Sequence, residues 1–598
     1  MERRVFLTLI FCTLFTIVYL KLTPKPPEAP GLDHRPPATG SSSETGAPNR
    51  AGEGASPASP SGNDVGGDEA GVHEATEVAE TLIEPFDSEH LRIEFTSQGA
   101  AVRQVYLKQF RNTADPVQTE GEVDWVSIFP APEDSFGDAL TLRELSSPGV
   151  PARYGLEQKH WKVSRNEPVG ADGTRTIEFQ FETHDGLEFV KRFVCSPREH
   201  YVQVSVGVRD LEPERSGRRP SLVLLLRAAG GIADVERGQW TLDPQGVAMV
   251  SEPRGEPVVR KFNASDLDDG PELVQGQGQN TVAWGGCANL YFTALLAPDV
   301  PGSVSAVELR STDEERIEKI QSELILPMLI PRDGTLSEAS FRYFVGPKSP
   351  ELLEAQGLAV LQPLIEEDYG SWSSFRWINK LLLFVLSFFH GLIGNWGVAI
   401  ILLTLLVRMC IFPVTRTQQV SMQRYSMKMQ KLKPKLDALK AKYKDKPQRF
   451  AQEQMKLLKE HNARPPLLGC LSTLITFPVF IGMFQILRTS IDLRQAPFAG
   501  WIHDLSLPDA MFEIPGAGFD FNLLPILATA AFVGQMALAP KPADPQARQQ
   551  QKIMYIMPVV FGVMFYNYAA GLSLYMLTSS LYGIVESKII RKRFMPAE

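Results

Sequence analysis

The sequence predicts an α-helical polytopic membrane protein of six spans, with a five-helix C-terminal core and a large extracytoplasmic β-sandwich domain. Apolar runs occur once at the N-terminus and five times in the last third of the 598-residue chain. About 260 residues between them alternate apolar and polar residues, as half-buried strands do. The strand-like region and the segments with apolar runs also differ in net charge, which indicates that they occupy different surroundings.

The net charge of −9 conceals about −26 on residues 26–375 and about +17 on the rest. An acidic soluble part argues against nucleic-acid binding, so no DNA partner is expected. The five cysteines form no pattern typical of a metal site, and no metal or cofactor is predicted. Cys195 and Cys287 are either a disulfide of an oxidising compartment or two buried thiols.

Residues 1–23 are predicted to be an uncleaved membrane anchor. Arg3 and Arg4 precede the apolar run Val5–Leu20, and no small-residue cleavage site follows it. The basic start places residue 1 in the cytoplasm. Residues 24–78, which are rich in Pro, Gly, Ser, Ala and acids, are predicted to be a disordered tether.

Residues 79–347 are predicted to form the β-sandwich domain, which the topology places in the periplasm. The strand-like segments are Leu91–Phe95, Thr176–Glu182, Leu187–Val194, Tyr201–Val208, Ser221–Leu226 and Asn289–Leu296. His160, His184 and His200 are scattered among them and resemble surface or core residues more than ligands. Because such sandwiches often bind sugars, a carbohydrate site is conceivable, although no catalytic constellation is recognisable.

Residues 348–394 are predicted to be a linker and an interfacial amphipathic helix. The aromatic-rich segment Trp372–Leu392 would lie flat in the outer headgroup region. The alternative is that this helix simply extends the next span. Gly391, Gly394 and Asn395 favour a break between the two.

Residues 395–592 are predicted to be the membrane core, followed by a short tail at 593–598. Its spans are predicted at Trp396–Phe412, Gly469–Leu487, Phe521–Ala539, Ile553–Tyr566 and Gly571–Ile590. The fourth of these is short for a hydrocarbon core of about 30 Å. Residues 413–466 contain fourteen Lys and Arg against four acids, whereas 488–520 contain two against five. This alternation places both termini and the basic loops in the cytoplasm.

The basic loop is predicted to contain a cytoplasmic helical hairpin at 415–464. The first helix would span Thr417–Lys442, with a kink at Pro434, and the second would begin at Pro447. Its positive charge is either the ordinary bias of cytoplasmic loops or a docking surface for anionic lipid, ribosomal RNA or an acidic partner.

Arg408 is a permanent positive charge inside an apolar run, with no acid nearby in the sequence. Such a residue either extends to the membrane surface or faces water inside the membrane, and the residue alone leaves both open. Polar residues of three spans favour a wetted, concave site. They are Thr404, one turn before Arg408; Ser472, Thr473, Thr476 and Gln485; and Tyr575 and Thr578, beside Ser573, Ser579 and Ser580. Ordinary packing between helices also uses Ser and Thr and is the alternative.

Glu586 is the acidic residue of the last span that could pair with Arg408. Lys588 and the basic cluster at 591–593 lie close to it in the sequence and compete for its carboxylate, so a dedicated pair with Arg408 is not expected.

Several motifs together resemble a known family. They are Gly394-Asn395-Trp396-Gly397, Pro413-Val414-Thr415, Gly469-Cys470, Phe477-Pro478, Leu493 to Phe498, Trp501 to Leu505, and Gly571 to Tyr575. They closely resemble the YidC-type membrane protein insertases of Gram-negative bacteria, over about residues 340–595. The first span and the β-domain match only in size and order.

The resemblance implies a five-helix core with a hydrophilic groove that opens to the cytoplasm and to lipid. The groove arginine of the family falls on Arg408, and its polar partners fall on Thr404, Thr476 and Tyr575. The chain departs from the family at Pro465-Pro466, at Ser472 where a proline is usual, and at Thr476 where glutamine is frequent. These departures weaken any claim about specific hydrogen bonds on that helix.

The function implied is insertion of membrane proteins into the bacterial inner membrane without nucleotide hydrolysis, by a protein that is not an enzyme. Nascent membrane proteins and lipids are the expected partners, with the ribosome and the Sec translocon as candidates. Two other classes remain open. A transporter would bind a small anion at Arg408, and anion flux into proteoliposomes would reveal it. An envelope enzyme or sugar-binding protein would lose all activity when about residues 80–340 are deleted, whereas an insertase would retain most of it.

Overall fold

The computed structural model describes residues 81 and 83–594, except for 113–123, 131–134, 146–153, 168–169, 171, 214–220, 234–243, 252–256, 269, 277–279, 315–316, 369–375, 444–445, 462–470, 514–519 and 539–544. The anchor and tether predicted at 1–78 lie outside the described residues. The chain divides into two compact units. One contains the described residues of Arg424–Pro465, and the other contains those of His73–Gln423 and Pro466–Glu598.

Strands β1–β18 make up the first half of the larger unit. They are, in order, Phe86–Asp87, Leu91–Thr96, Ala101–Arg111, Trp125–Ser127, Leu142–Glu144, Lys162–Asn166, Arg175–Glu182, Leu187–Cys195, Tyr201–Asp210, Ser221–Ala229, Gln245–Ser251, Val258–Asn263, Glu272–Gln275, Thr281–Ala288, Phe292–Pro298, Ala306–Glu314, Ile317–Leu329 and Ser337–Pro347. The predicted β-domain is therefore confirmed. The predicted strand at Asn289–Leu296 starts late, because Asn289 makes a turn in which its side chain accepts the Tyr291 and Phe292 N–H groups.

The strands form a sandwich of two main antiparallel sheets. The order of the nine-stranded sheet is β12-β11-β14-β15-β18-β9-β8-β7-β6, and that of the five-stranded sheet is β13-β16-β17-β10-β5. Gly285 on β14 lets the two sheets approach closely, since a Cβ there would lie 2.7 Å from Val307 Cγ2 on β16. Strands β1–β4 form a separate small sheet whose apolar side chains join the same core. Cys195 and Cys287 are both buried in this domain as free thiols.

Lys191 on β8 is fully buried in this core. Its Nζ donates hydrogen bonds to the carbonyl oxygens of Gly99 at 3.0 Å, of Ala100 at 2.9 Å and of Leu140. The Trp161 ring centroid lies 5.5 Å from the same nitrogen. Burial lowers the pKa of Lys191 to about 7 because the charged form is poorly solvated there. One side chain thus ties the segment between β2 and β3, and the one before β5, to the large sheet.

Lys191→Met is expected to lower the melting temperature and to change its dependence on pH. Between the folded pKa of about 7 and the ordinary value of 10.5, the unfolded chain binds more protons at this lysine than the folded chain does. The contribution of Lys191 to the free energy of unfolding therefore rises with pH through that window and is constant below it. Melting curves of both proteins from about pH 6 to pH 11 measure this difference. A constant offset between the two curves across the window would contradict it.

Helices α1 and α2, Pro350–Ala355 and Gln362–Asp368, pack on the outer side of the nine-stranded sheet. Leu353, Leu364 and Ile365 join a buried cluster with Trp284 and Phe344. The domain boundary predicted at 347 is therefore too early, because these apolar side chains need the sheet to bury them. Residues 369–375, which follow α2, lie outside the described residues.

The remaining helices are α3 to α9. They span Arg376–Ile393, Trp396–Lys442, Pro447–Glu460, Leu471–Thr489, Leu523–Ala537, Pro545–Met564 and Ala570–Phe594. Among the described residues, Trp396–Lys442 meets the length and hydropathy expected of a spanning helix, and four shorter apolar helices accompany it. The predicted break between α3 and α4 is present, with Gly394 at a φ of +77°.

One expectation about these helices is wrong, while the expected short apolar stretch of the fourth core span is present. The first span and the first hairpin helix were expected to be separate, yet α4 continues through Pro413 and Pro434 to Lys442. A proline removes one backbone hydrogen bond but does not by itself end a helix whose other bonds persist. The short fourth span of the core belongs to a helix of 20 residues, since the polar residues 545–552 continue its helical backbone. Only Tyr555–Met564 of it is apolar.

Candidate functional site

Arg408 lies half-buried on α4, and its guanidinium contacts α9. Its Nε donates a hydrogen bond to the hydroxyl oxygen of Ser579 at 2.9 Å, and Nη2 donates to the same oxygen. Among the described residues, no carboxylate lies within 4 Å of this guanidinium. Its only protein hydrogen-bond partner in that part of the chain is therefore neutral, and its charge remains uncompensated at close range.

Thr404 lies one turn before Arg408 and is almost fully buried, at 1% exposure. Its hydroxyl donates to the carbonyl oxygen of Ile400 at 2.7 Å. A hydroxyl has one hydrogen to donate, so this bond within the helix leaves Thr404 only its acceptor lone pairs for a ligand.

The polar residues predicted on the third span lie on α6. The side chains of Ser472, Thr473 and Thr476 fall outside the described part of the chain, so their place in the site stays a prediction. Gln485 is half-buried further along the same helix, and its backbone carbonyl accepts the hydroxyl of Thr489 at 2.9 Å. The described structure does not bring Gln485 into hydrogen-bond contact with Arg408.

Tyr575 and Thr578 lie on α9 at different depths. Tyr575 is buried, at 6% exposure, within electrostatic range of Arg408. Its ring centroid is 6.3 Å from that of Phe480 on α6. Thr578 is half-buried. Tyr575 and Ser579 are one turn apart and share a face of the helix, so the structure brings together Arg408, Tyr575 and Ser579 from the polar set.

Glu586, two turns beyond Ser579, is buried and accepts a hydrogen bond from the Thr415 hydroxyl. The basic residues that follow it in the sequence were the expected competitors for this carboxylate. Thr415 contacts it instead, because α4 continues past Pro413 alongside α9. Glu586 makes no ion-pair contact within 4 Å of the Arg408 guanidinium, although the two charges lie within electrostatic range of each other.

Ser579 is the contact that the sequence did not single out. The predicted groove contains Thr578 and not Ser579, although both belong to the same polar set of the last span. The spacing Tyr575, Ser579, Tyr582 and Glu586 follows one helical face, and this signal favours Ser579 over Thr578.

Asp509 organises the chain before α7, at the opposite end of the helix from the basic loop that follows it. It is 3% exposed. Its Oδ2 accepts the backbone N–H groups of Leu523 at 2.9 Å and Leu524 at 3.0 Å, together with Trp501 Nε1 at 3.2 Å. The first turn of α7 thus receives its capping acceptor from a distant loop residue.

Asn522 closes the same end with a second network. Its side chain accepts the Ala510 N–H at 2.9 Å and donates to the Tyr566 carbonyl and to Asn567 Oδ1, both at 3.1 Å. These bonds join the start of α7 to the turn between α8 and α9. Asn522 is 1% exposed, so these hydrogen bonds are made away from solvent.

The loop after α6 contacts the β-domain directly. Ile491 joins the apolar core of the sandwich, at 8% exposure. Arg494 Nη2 and Gln495 Nε2 each donate to the Arg111 carbonyl at 2.7 Å, and the Arg494 guanidinium lies 5.6 Å from the Phe292 ring centroid. The β-domain is thus attached to the helical core through β3 and β15 as well as through the linker.

These features define a class of membrane protein, in which a β-sandwich domain precedes a core of apolar helices containing a buried cationic site. Residues 85–385 match the family described as the YidC periplasmic domain, and residues 388–597 match the family described as the 60Kd inner membrane protein. The chain belongs to the YidC family of membrane protein insertases, which are inner-membrane proteins with a periplasmic domain.

Individual relatives agree with this assignment. Membrane protein insertase YidC of Neisseria meningitidis serogroup C (strain 053442) is 34% identical over 470 residues, which cover 72% of this chain and 79% of the relative. The Geobacter sulfurreducens protein of the same name is 28% identical and covers 86% of both chains. The Pelobacter propionicus protein is 39% identical, but the match spans 52% of this chain and 54% of that relative. An active YidC insertase crystal structure with the first transmembrane domain resolved is 15% identical with a TM-score of 0.32, covering 86% of this chain and 92% of that one.

Proposed function

We propose that this protein inserts client membrane proteins into the inner membrane through a hydrophilic groove beside Arg408, without hydrolysing a nucleotide. The observation that carries the proposal is the guanidinium itself. It is half-buried between apolar helices, and its described protein partner is the neutral hydroxyl of Ser579. A charge in such a place is costly unless water or a ligand completes its surroundings.

The groove would contain Arg408, Tyr575, Thr578 and the α6 residues Ser472, Thr473, Thr476 and Gln485, with Thr404 at its wall and Ser579 as the anchor of the arginine. Water around this set shortens the hydrocarbon path that a polar tail must cross. The apolar length of α8, Tyr555–Met564, is about 15 Å at ~1.5 Å per residue. A short apolar segment thins the bilayer locally and shortens the path further.

A client would enter with an extracytoplasmic tail that is short and polar, attracted by the positive charge. Its apolar segment would then leave sideways into lipid, and transfer of apolar surface out of water would drive the step. No nucleotide is needed in this scheme. The networks of Asp509 and Asn522 support closure of the groove at the periplasmic end, because they bind the helix ends to each other there.

The topology that suits this mechanism has six spans, both termini in the cytoplasm and the β-domain in the periplasm. Helix α3 supports it, since it exposes an apolar stripe formed by Trp377, Leu381, Phe384, Phe388 and Leu392. Its other face packs on α6, where Asn379 lies against Gly482. A helix with one face on the core and one bare apolar face fits the outer lipid surface. The basic hairpin would face the cytoplasm, within reach of the ribosome and anionic lipids.

Reconstitution tests the function directly. The purified full-length protein in liposomes is expected to insert a small single-span client, so that a protease added outside leaves the inserted segment intact. Liposomes without the protein, and liposomes with the Arg408→Ala protein, are the controls. Equal protection of the client in all three preparations would contradict the proposal.

A further inference from the structure

Two polar contacts connect helices α4 and α9 at matching positions. Arg408 Nε donates to the Ser579 hydroxyl oxygen at 2.9 Å, and the Thr415 hydroxyl donates to the Glu586 carboxylate. Arg408 and Thr415 are seven residues apart on α4, and the residues that they contact are seven residues apart on α9. Seven residues make about two helical turns, so the two contacts are ~10 Å apart along the helices. The helices therefore run parallel here, with a positive charge at one contact and a carboxylate at the other.

Glu586 supplies the carboxylate and is almost completely buried, at 4% exposure. Among the described residues, no basic side chain lies within 4 Å of its oxygens. Arg408 acts on it electrostatically from a greater distance. Tyr582, one turn before Glu586, is within electrostatic range of both charges. Arg408 and Glu586 are therefore a separated pair of opposite charges on one side of the polar cluster, and no direct contact between them cancels either charge.

The order of the two charges along the path of a client follows from the direction of α9. Glu586 lies beyond Ser579, toward the basic cluster at 591–593, which the proposed topology places in the cytoplasm. A client tail that enters from that side passes the carboxylate before it reaches the guanidinium. An extended chain advances about 3.3 Å per residue. Two tail residues three positions apart are therefore separated by ~10 Å, which matches the spacing of the two charges.

We infer, on the basis of the proposed function, that Glu586 is a specificity-determining residue which, together with Arg408, selects client tails by the order of their charges. A tail whose leading acidic residue is followed three positions later by a basic residue meets an opposite charge at both depths. A tail with the reverse order satisfies at most one of the two charges at a time. The two tails have the same net charge, so attraction by overall charge does not distinguish them.

The test uses the purified full-length protein in liposomes at about pH 8, where a carboxylate is ionised, and two single-span clients. Their N-terminal tails, which cross the membrane, differ only in containing Asp-x-x-Lys or Lys-x-x-Asp, where x is a neutral residue. Protease protection of the Asp-x-x-Lys client is expected to exceed that of the other client by roughly threefold or more, because it gains a second attraction between opposite charges. Equal protection of the two clients would overturn the inference and leave the insertion function intact, whereas protection of neither would overturn both.

Three variants assign the preference to the carboxylate charge. Glu586→Gln keeps the size of the side chain and an oxygen for the Thr415 hydroxyl, and it is expected to bring the ratio of the two yields close to one. Thr415→Val breaks the hydrogen bond but keeps the charge, and it is expected to retain the preference. Asp520→Asn, which removes an exposed carboxylate outside the polar cluster, is expected to leave the ratio unchanged. If Glu586→Gln lowers both yields together and keeps their ratio, or if Thr415→Val abolishes the preference, Glu586 acts through packing and the inference is overturned.

Discussion

Arg408→Ala is expected to lower the insertion yield of clients with acidic extracytoplasmic tails by roughly tenfold or more. Two opposite charges 4 Å apart interact by about 4 kcal/mol at an effective dielectric constant of about 20, and a tenfold effect needs only about 1.4 kcal/mol. Among the described residues no carboxylate competes for this guanidinium at close range. Clients with neutral tails are expected to lose much less. Protease protection of matched clients that differ only in tail charge measures the effect.

Two variants distinguish the charge from its location. Arg408→Lys keeps the positive charge but loses the two-pronged contact with Ser579, and most of the activity is expected to remain if charge alone matters. Arg416→Ala removes an exposed arginine two turns further along the same helix and is expected to insert clients normally. Insertion of several clients by the Arg408→Ala protein at the parent level would refute the electrostatic role.

Asp509→Ala is expected to destabilise the helical core by about 3 kcal/mol. The change leaves two N–H groups at the start of α7 and the Trp501 indole without their acceptor, and hydrogen bonds to a charged group are worth about 1.5–3 kcal/mol each. Because Asp509 is 3% exposed, water replaces the lost oxygen poorly. The thermal unfolding of the reconstituted protein measures the loss.

Asp509→Asn is the graded control, since it keeps one side-chain oxygen and is expected to lose less than the alanine variant. Asp520→Ala removes an exposed carboxylate close by in the same loop and is expected to have a negligible effect. If the Asp509→Ala and Asp520→Ala proteins both melt at the temperature of the parent protein, the Asp509 carboxylate does not stabilise this end of the core.

The sequence predicts local structure well where one periodicity dominates. Strands β2, β7, β8 and β9 match their predicted segments within two residues at either end, because apolar residues recur at every second position in each of them, although β8 and β9 are buried over most of both faces. The order of the strands within each sheet could not be predicted in this way. Strand β18 pairs with β9 and β15, which are distant in the chain, and periodicity contains no information on which strands become neighbours.

The helical region shows a different limit. The prediction that a span ends before Pro413 is wrong, because the helix continues and brings Thr415 into contact with Glu586, and this contact depends on tertiary packing. Helical periodicity places Thr404 and Arg408 on one face of the helix, but it does not predict how deeply each side chain is buried. In the structure Thr404 is buried, and its hydroxyl donates its hydrogen to the Ile400 carbonyl oxygen. The family motifs identified the family correctly, whereas the choice between Thr578 and Ser579 needed the position of α4 against α9.

The rate at which a small charged methanethiosulfonate modifies Ser579→Cys tests most directly whether Arg408 lies in water within the membrane. A thiol reacts as the thiolate, which forms readily only where water is present. The labelling rate of Ser579→Cys, after subtraction of the rate in the parent chain, is compared with the rates of two other variants. Leu581→Cys lies on the opposite, exposed apolar side of α9, and Thr417→Cys is an exposed polar position. Because Ser579 is itself 5% exposed, our account predicts that Ser579→Cys reacts more slowly than Thr417→Cys but much faster than Leu581→Cys. A rate as slow as that of Leu581→Cys would show dry packing around the arginine and contradict it.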